Sequence, residues 1–344
     1  MSAAETMGTF VAPRRLVRTR EVSFEVVNTN GTPLPCAADG ETYTLTGRLV
    51  GLGRELRRDE LYRVLVHVHD LGTGAWFWDL RREQRTSYAV GMARRGHVSL
   101  VLDRLGYGDD GLADGMSTCF GAQADIVHQV VQQLRSGDYA TAGRRSTPAG
   151  HAVLVGHGLG AAVAQLAAAT FQDVGGLVQM SWSDTAAAPT RLQDVLAQGQ
   201  GCATGGDAER PGFAFHGGPD PEAWTATMFA SASATVQRLA VARRNPDPCG
   251  DALSIAGLVA LNNAMAHLVQ PPTLLMYGDQ DARNLPGAQE SHEQSFTEAI
   301  TVTRLVVEGA GNALPLEAQG PTVRDLLSRW ICFDIACPPR PPRG

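Results

Sequence analysis

The chain has 344 residues, of which 44% are hydrophobic, and its 29 basic against 35 acidic residues give a formal net charge of −6. That length and apolar content suit one large core with an insertion. An acidic balance with no basic run argues against nucleic acid or an anionic membrane as partner and favours a small neutral or apolar molecule, and because every basic residue is arginine, Schiff-base chemistry on a lysine of this chain is excluded.

Residues 1–20 read as a loose arm, and Arg14-Arg15 are followed by Leu16-Val17-Arg18-Thr19-Arg20 with no apolar stretch behind, so no signal peptide is expected and the location is taken as cytoplasmic. Beyond the arm, short β-rich runs alternate with helical patterns. Strands are expected over 22–27, 43–50, 62–69, 97–103, 152–155, 176–180, 273–277 and 302–307, and helices over 78–95, 120–134, 159–171, 289–299 and 321–330. This alternation predicts an α/β fold with a mostly parallel sheet flanked by helices. Residues 1–183 and 272–337 form its core, and 184–271 form a helical lid inserted after the sixth strand. Within the lid, 199–220 read as a glycine-rich loop, Asp220-Pro221 caps a helix that ends before Asn245-Pro246, and a second helix covers 251–268. A lid there sits over the carboxyl ends of the strands, where open α/β sheets bind ligands. Residues 338–344 read as a proline-rich tail.

No apolar run reaches the roughly 18 residues that suggest a membrane span. The six cysteines show no metal-ligand spacing and are expected to be thiols, Cys202 with Cys249 being the pair most open to doubt. Neither a metal nor a cofactor is expected, and a homodimer is left open.

Four motifs follow one another along the chain. His69-Asp70-Leu71-Gly72-Thr73-Gly74-Ala75-Trp76 and Asp103-Arg104-Leu105-Gly106-Tyr107-Gly108 each follow an expected strand. The apolar run 152–155 leads into Gly156-His157-Gly158-Leu159-Gly160, and 273–277 lead into Gly278-Asp279-Gln280-Asp281. The last strand ends at Glu308-Gly309-Ala310-Gly311-Asn312-Ala313. Gly156, Gly158 and Ala161 also satisfy a relaxed dinucleotide fingerprint, with Asp184 at the distance of a ribose-binding acid. A Rossmann unit opens its domain with that loop, however, and here several strands and two motifs come first.

In this order the motifs resemble those of the α/β-hydrolase fold, over about residues 40–331. The resemblance places the nucleophile's elbow at Gly158, the acid at Asp281 and the general base at Asn312, with the oxyanion donors being the backbone N–H groups of Leu71 and Leu159. It also marks two departures. Gly158 carries no attacking atom, and Asn312 cannot take a proton near neutral pH. Asp70 stands where such proteins usually have glycine; it is expected to face solvent, or to act as a base if it points inward.

These departures make the chain resemble repurposed, non-hydrolytic members of actinobacterial natural-product pathways. The expected activity is a Michael-type carbon–carbon coupling or cyclisation of a large conjugated intermediate. Leu71 and Leu159 would polarise its carbonyl and Asp281 would be the base, with Asp70 the second carboxylate. Trp76, Trp182, Trp224 and Met228 would line the ligand, its rings stacking on the tryptophans. His157, Asp184 and His216 complete the candidate set, His157 being expected to pack. The alternatives are a non-catalytic binding or self-resistance protein, and a hydrolase working through water activated by Asp281 or Asp70.

Overall fold

The computed structural model describes residues 16–80, 87–143, 145–206 and 210–337. In chain order its first half runs β1 (Val17–Val27), β2 (Thr42–Leu52), β3 (Val64–Val68), α1 (Tyr88–Arg94), β4 (Val98–Leu102), α2 (Phe120–Ser136), β5 (Ala140–Thr141), β6 (Ala152–His157), α3 (Leu159–Phe171) and β7 (Leu177–Met180). The insertion follows as α4 (Pro189–Ala203), β8 (Phe213–Ala214), α5 (Pro221–Met228), α6 (Ala234–Val241), β9 (Asp247–Pro248) and α7 (Cys249–Met265). The chain then returns to the sheet as β10 (Thr273–Gly278), α8 (Ala288–Gln294), β11 (Val302–Val307) and α9 (Gly320–Trp330).

The sheet order is β11-β10-β7-β6-β3-β4-β2-β1-β5. From β11 to β4 all neighbours are parallel, while β2, β1 and β5 close the far edge with antiparallel pairings. The parallel strands are apolar at nearly every position because both their faces are covered. In β6, Ala152 and Leu154 enter the core on one face, and Val153 and Val155 the core on the other. On one face α2 packs on α3 and α7, and on the other α1 packs on α9.

Several expectations are corrected. Residues 17–20 of the supposed arm belong to β1, where Val17 to Val27 pair with Leu52 to Thr42, while 1–15 and the tail 338–344 lie outside the described residues. The helix expected over 78–95 begins only at Tyr88, where the Ser87 side chain accepts a hydrogen bond from Val90 N and caps it; 81–86 lie outside the described residues. The glycine-rich loop begins later than expected, because α4 runs through Gly199 and Gly201 to Ala203. Asp220 does cap α5, accepting from Glu222 N, but that helix stops at Met228 and Ser233 caps a separate α6.

The expectation of thiols is overturned: all six cysteines are paired, as Cys36–Cys119, Cys202–Cys249 and Cys332–Cys337. The first ties the loop after β1 to the start of α2, and the second ties α4 to α7 within the lid. Loop closure over the sequence separation of 83 from Cys36 to Cys119 restricts the unfolded chain, so Cys36→Ser/Cys119→Ser should cost about 4.5 kcal/mol of stability. Thiol titration of the native protein should find no reactive thiol before reduction. Six titratable thiols in the unreduced, denatured protein would contradict the pairing.

Candidate active site

The turn between β6 and α3 is built from glycines because two backbones cross there. A side chain at Gly156 would overlap the Ala161 backbone, and one at Gly160 would overlap the carbonyls of Val68 and His69. Between them, Gly158 caps α3 at φ 53°, ψ −129°, a conformation that disfavours ordinary side chains. A Cβ built there would overlap the carboxylate of Asp70. The space in which a residue at 158 would present its side chain is therefore filled from the neighbouring loop.

Asp70 does not face solvent; it is 3% exposed. Its Oδ1 accepts from Leu71 N at 2.8 Å and from Leu159 N at 2.8 Å. The two amides assigned to an oxyanion thus converge on one oxygen, and that oxygen belongs to the protein. Oδ2 lies 3.4 Å from Arg283 Nη1. The loop itself is fixed locally. Arg104 N donates to His69 Nε2 at 3.0 Å, which leaves His69 Nδ1–H to donate to Asp70 O at 2.9 Å, and Thr73 Oγ1 donates to the same carbonyl at 2.8 Å.

Arg283 carries this arrangement into the lid. It is 3% exposed, and its Nη2 reaches Asp194 Oδ2 of α4 at 3.1 Å and Thr227 Oγ1 of α5 at 3.2 Å. The helix α4 is turned inside out for this purpose. Its inward positions include Arg191, Asp194 and Gln198 beside a partly buried Val195, whereas Leu192 and Leu196 are 56% and 67% exposed. Arg283, Asp194 and Thr227 lie in no motif, so sequence patterns gave no signal for them.

The other two triad positions meet each other without a proton carrier. Asn312 Nδ2 lies 3.1 Å from both oxygens of Asp281, which also accepts from Arg283 N at 2.9 Å and Asn284 Nδ2 at 2.8 Å. Burial raises the Asp281 carboxyl above its ordinary pKa, against the pull of these donors. With its oxygens taken by three donor groups, it has no bare lone pair aimed at a ligand. The Asn312 carbonyl accepts from Ser181 Oγ at 2.6 Å and from His157 Nε2 at 2.9 Å. Ser181 does so at a positive φ of 57°. His157 packs as expected, stacked on Phe77 with ring centroids 4.5 Å apart, and burial lowers its pKa. It is therefore neutral, and its bare Nδ1 stands 4.0 Å from Asp70 Oδ2.

The aromatic candidates are covered rather than offered to a planar ligand. Trp182 donates Nε1–H to Asp184 at 2.8 Å and has the Arg191 guanidinium 4.6 Å over its ring. Trp224 and Met228 are fully buried, with Arg244 lying 5.1 Å over Trp224 and Met228 O accepting from Ala313 N. Trp76 is partly buried against the core beside Phe77. Asp184 belongs to a separate buried network: it accepts from Gln165, while Gln179 bridges Gln165 to His292. Burial pushes its pKa up to about 6. His216, pushed down to about 3 by burial, bonds Gln198 of α4.

Residues 65–325 match the alpha/beta hydrolase family model. The chain belongs to that family. Among solved structures this family member is similar to a thermophilic esterase from Thermogutta terrifontis (18% identity, TM-score 0.62, covering 91% of this chain and 99% of that one). It is also similar to a monoacylglycerol lipase of Paleococcus ferrophilus (18%, 0.55, 78% and 93%) and to the thioesterase domain of the curacin biosynthetic pathway (17%, 0.53, 89% and 98%). At these identities the likeness is one of fold. No protein of curated function matches the sequence.

A further acid that the motifs did not indicate joins the oxyanion loop of this hydrolase-fold chain to its lid. Asp247 accepts from Gly72 N at 2.6 Å and from His216 N at 3.0 Å, and burial pushes its pKa up to about 7. The folded state therefore holds the Asp247 proton more tightly than the unfolded chain. Its contribution to stability is full below the unfolded pKa of about 4 and is lost as pH rises. Relative to Asp247→Asn, the wild type should lose stability between pH 4 and about 7, read as a shrinking difference in Tm. A constant difference across that range would show that Asp247 is ionised throughout.

Proposed function

We propose that this chain is a non-hydrolytic member of the family, a binding protein for a small polar molecule held between lid and sheet. The observation that carries the reading is that Asp70 Oδ1 takes both oxyanion amides. A substrate carbonyl polarised there would have to displace a carboxylate held by two N–H donors and a guanidinium, and its developing negative charge would meet another. The absence of a side chain at Gly158 and the amide at Asn312 add the missing nucleophile and the missing base.

The same geometry weakens the coupling or cyclisation of a conjugated natural-product intermediate. That reading needs free Leu71 and Leu159 amides, an Asp281 with an open lone pair, and bare tryptophan faces. Among the buried atoms around the site that have no hydrogen-bond partner within the described residues are Asn312 Oδ1, His157 Nδ1, Trp224 Nε1 and Arg283 Nε. Such groups are costly unless something satisfies them. Unsatisfied acceptors on Asn312 and His157, together with unsatisfied donors on Trp224 and Arg283, support a ligand with both kinds of group. The three disulfides support an oxidising compartment in place of the cytoplasm first expected.

The reading is tested by rebuilding the missing parts. Wild type and Gly158→Ser should hydrolyse p-nitrophenyl acetate no faster than buffer, the latter because its side chain collides with Asp70. Gly158→Ser/Asn312→His/Asp70→Gly should gain esterase activity. It should exceed the double variant that keeps Asp70 by about 10²- to 10³-fold, the usual worth of an oxyanion donor. Wild-type turnover abolished by Asp70→Asn would overturn the proposal.

A further inference from the structure

A second feature lies away from the lid, on the antiparallel edge of the sheet. One cleft of about 750 Å³ is lined by Arg20, Arg57, Arg58 and Arg145, with Asp59 the one acid in its wall. A second, of about 440 Å³, is lined by Arg18, Arg20 and Arg57, with Glu21 the one acid there. The two clefts share Arg20, Leu56 and Arg57, so they form one continuous depression. Five guanidinium groups stand there against two carboxylates, in a chain whose net charge is −6.

The arginines come from β1, from the turn after β2 and from the loop after β5, which the sheet brings side by side. Arg20 is held in place: its Nη1 donates to Thr147 Oγ1 at 3.4 Å and its Nη2 to Leu56 O. Arg58 shares Glu55 with Arg54. Arg18, Arg57 and Arg145 are exposed and make no ion pair among the described residues. Arg18 and Arg57 flank Gly53, where a Cβ would meet Arg18 Cγ at 3.1 Å and Arg57 Nη1 at 3.2 Å. Like charges gathered this closely repel one another, and nothing in the fold requires the outer three for packing. What guanidinium forks do best is clasp the oxygens of phosphate and carboxylate groups, two at a time.

We propose that this cleft binds a compact, multiply charged phosphoanion of the oligophosphate class. The volume of the depression, about 750 Å³ in its larger part, matches a small ligand. Each charge-assisted contact contributes in proportion to the negative charge presented, so a triphosphate chain binds better than a single phosphate.

The test is calorimetric titration of the full chain with inorganic tripolyphosphate at about 0.15 M salt, beside Arg57→Gln/Arg145→Gln and a control, Arg329→Gln, which lines neither cleft. Both tested arginines are exposed and make no ion pair among the described residues, so Tm should not change. Saturable one-to-one binding is expected, weakened at least about tenfold in the double variant, which is 1.4 kcal/mol, and unchanged in the control. Absence of binding by the wild type, or equal binding by the double variant, overturns the proposal. Sedimentation with phosphatidylglycerol vesicles is run alongside. Binding to vesicles without binding to tripolyphosphate overturns it too, by assigning the charge to a lipid surface.

Discussion

One carboxylate oxygen accepting two backbone N–H groups organises the site. Oxyanion donors are useful in an enzyme because they wait, unsatisfied by the protein, for charge that develops during reaction. Here Asp70 satisfies both in the resting state. A buried carboxylate needs more than hydrogen bonds, since removing its charge from water costs several kcal/mol without a counter-ion. Arg283 supplies that charge, and Arg283 in turn is shared with Asp194 of the lid. Asp70 in the loop after β3 is thus linked through Arg283 to α4.

This dependence explains why the lid helix presents its polar stripe inward. An amphipathic helix over a core ordinarily buries its leucines. In α4, Leu192 and Leu196 face outward because the inward positions are given to the groups that bond Arg283 and His216. The free-energy gain of burying two leucines, about 1.5–3 kcal/mol each, is forgone in favour of charge compensation and a polar ceiling over the site.

The sheet was legible in the sequence because its signal is redundant: each parallel strand is a short apolar run bounded by glycine or charge, and α3 was bounded correctly at both ends. The site was legible in position but not in contact. Motifs placed Gly158, Asp281, Asn312, Leu71 and Leu159, and the loop after β3 placed Asp70. Nothing in His69-Asp70-Leu71-Gly72 states which way the carboxylate turns; that is decided by Arg283, more than two hundred residues away. The last turn of α4, 199–203, reads as loop because Gly199 and Gly201 lower helix propensity, and tertiary contacts and the Cys202–Cys249 bond outweigh them. The arginine cleft escaped notice for a related reason: its members are scattered along the chain, and only the pairing of β1 with β2 and β5 collects them.

Gly158 and Asp70 are best understood as one feature. A side chain at 158 and a carboxylate at 70 claim the same volume, so either is compatible with glycine at the other position and they are incompatible together. The two substitutions are therefore coupled, and their combined effect on stability is not the sum of the separate ones. Restoring a hydroxyl at 158 alone would drive Asp70 out of its two hydrogen bonds and away from Arg283, leaving that guanidinium buried with Asp194 as its remaining counter-charge. Freeing Asp70's place alone would leave two buried amides without an acceptor, an arrangement that enzymes of this fold hold ready only because a nucleophile stands beside it. With no side chain at 158 and no imidazole at 312, a hole filled by Asp70 is the more stable arrangement.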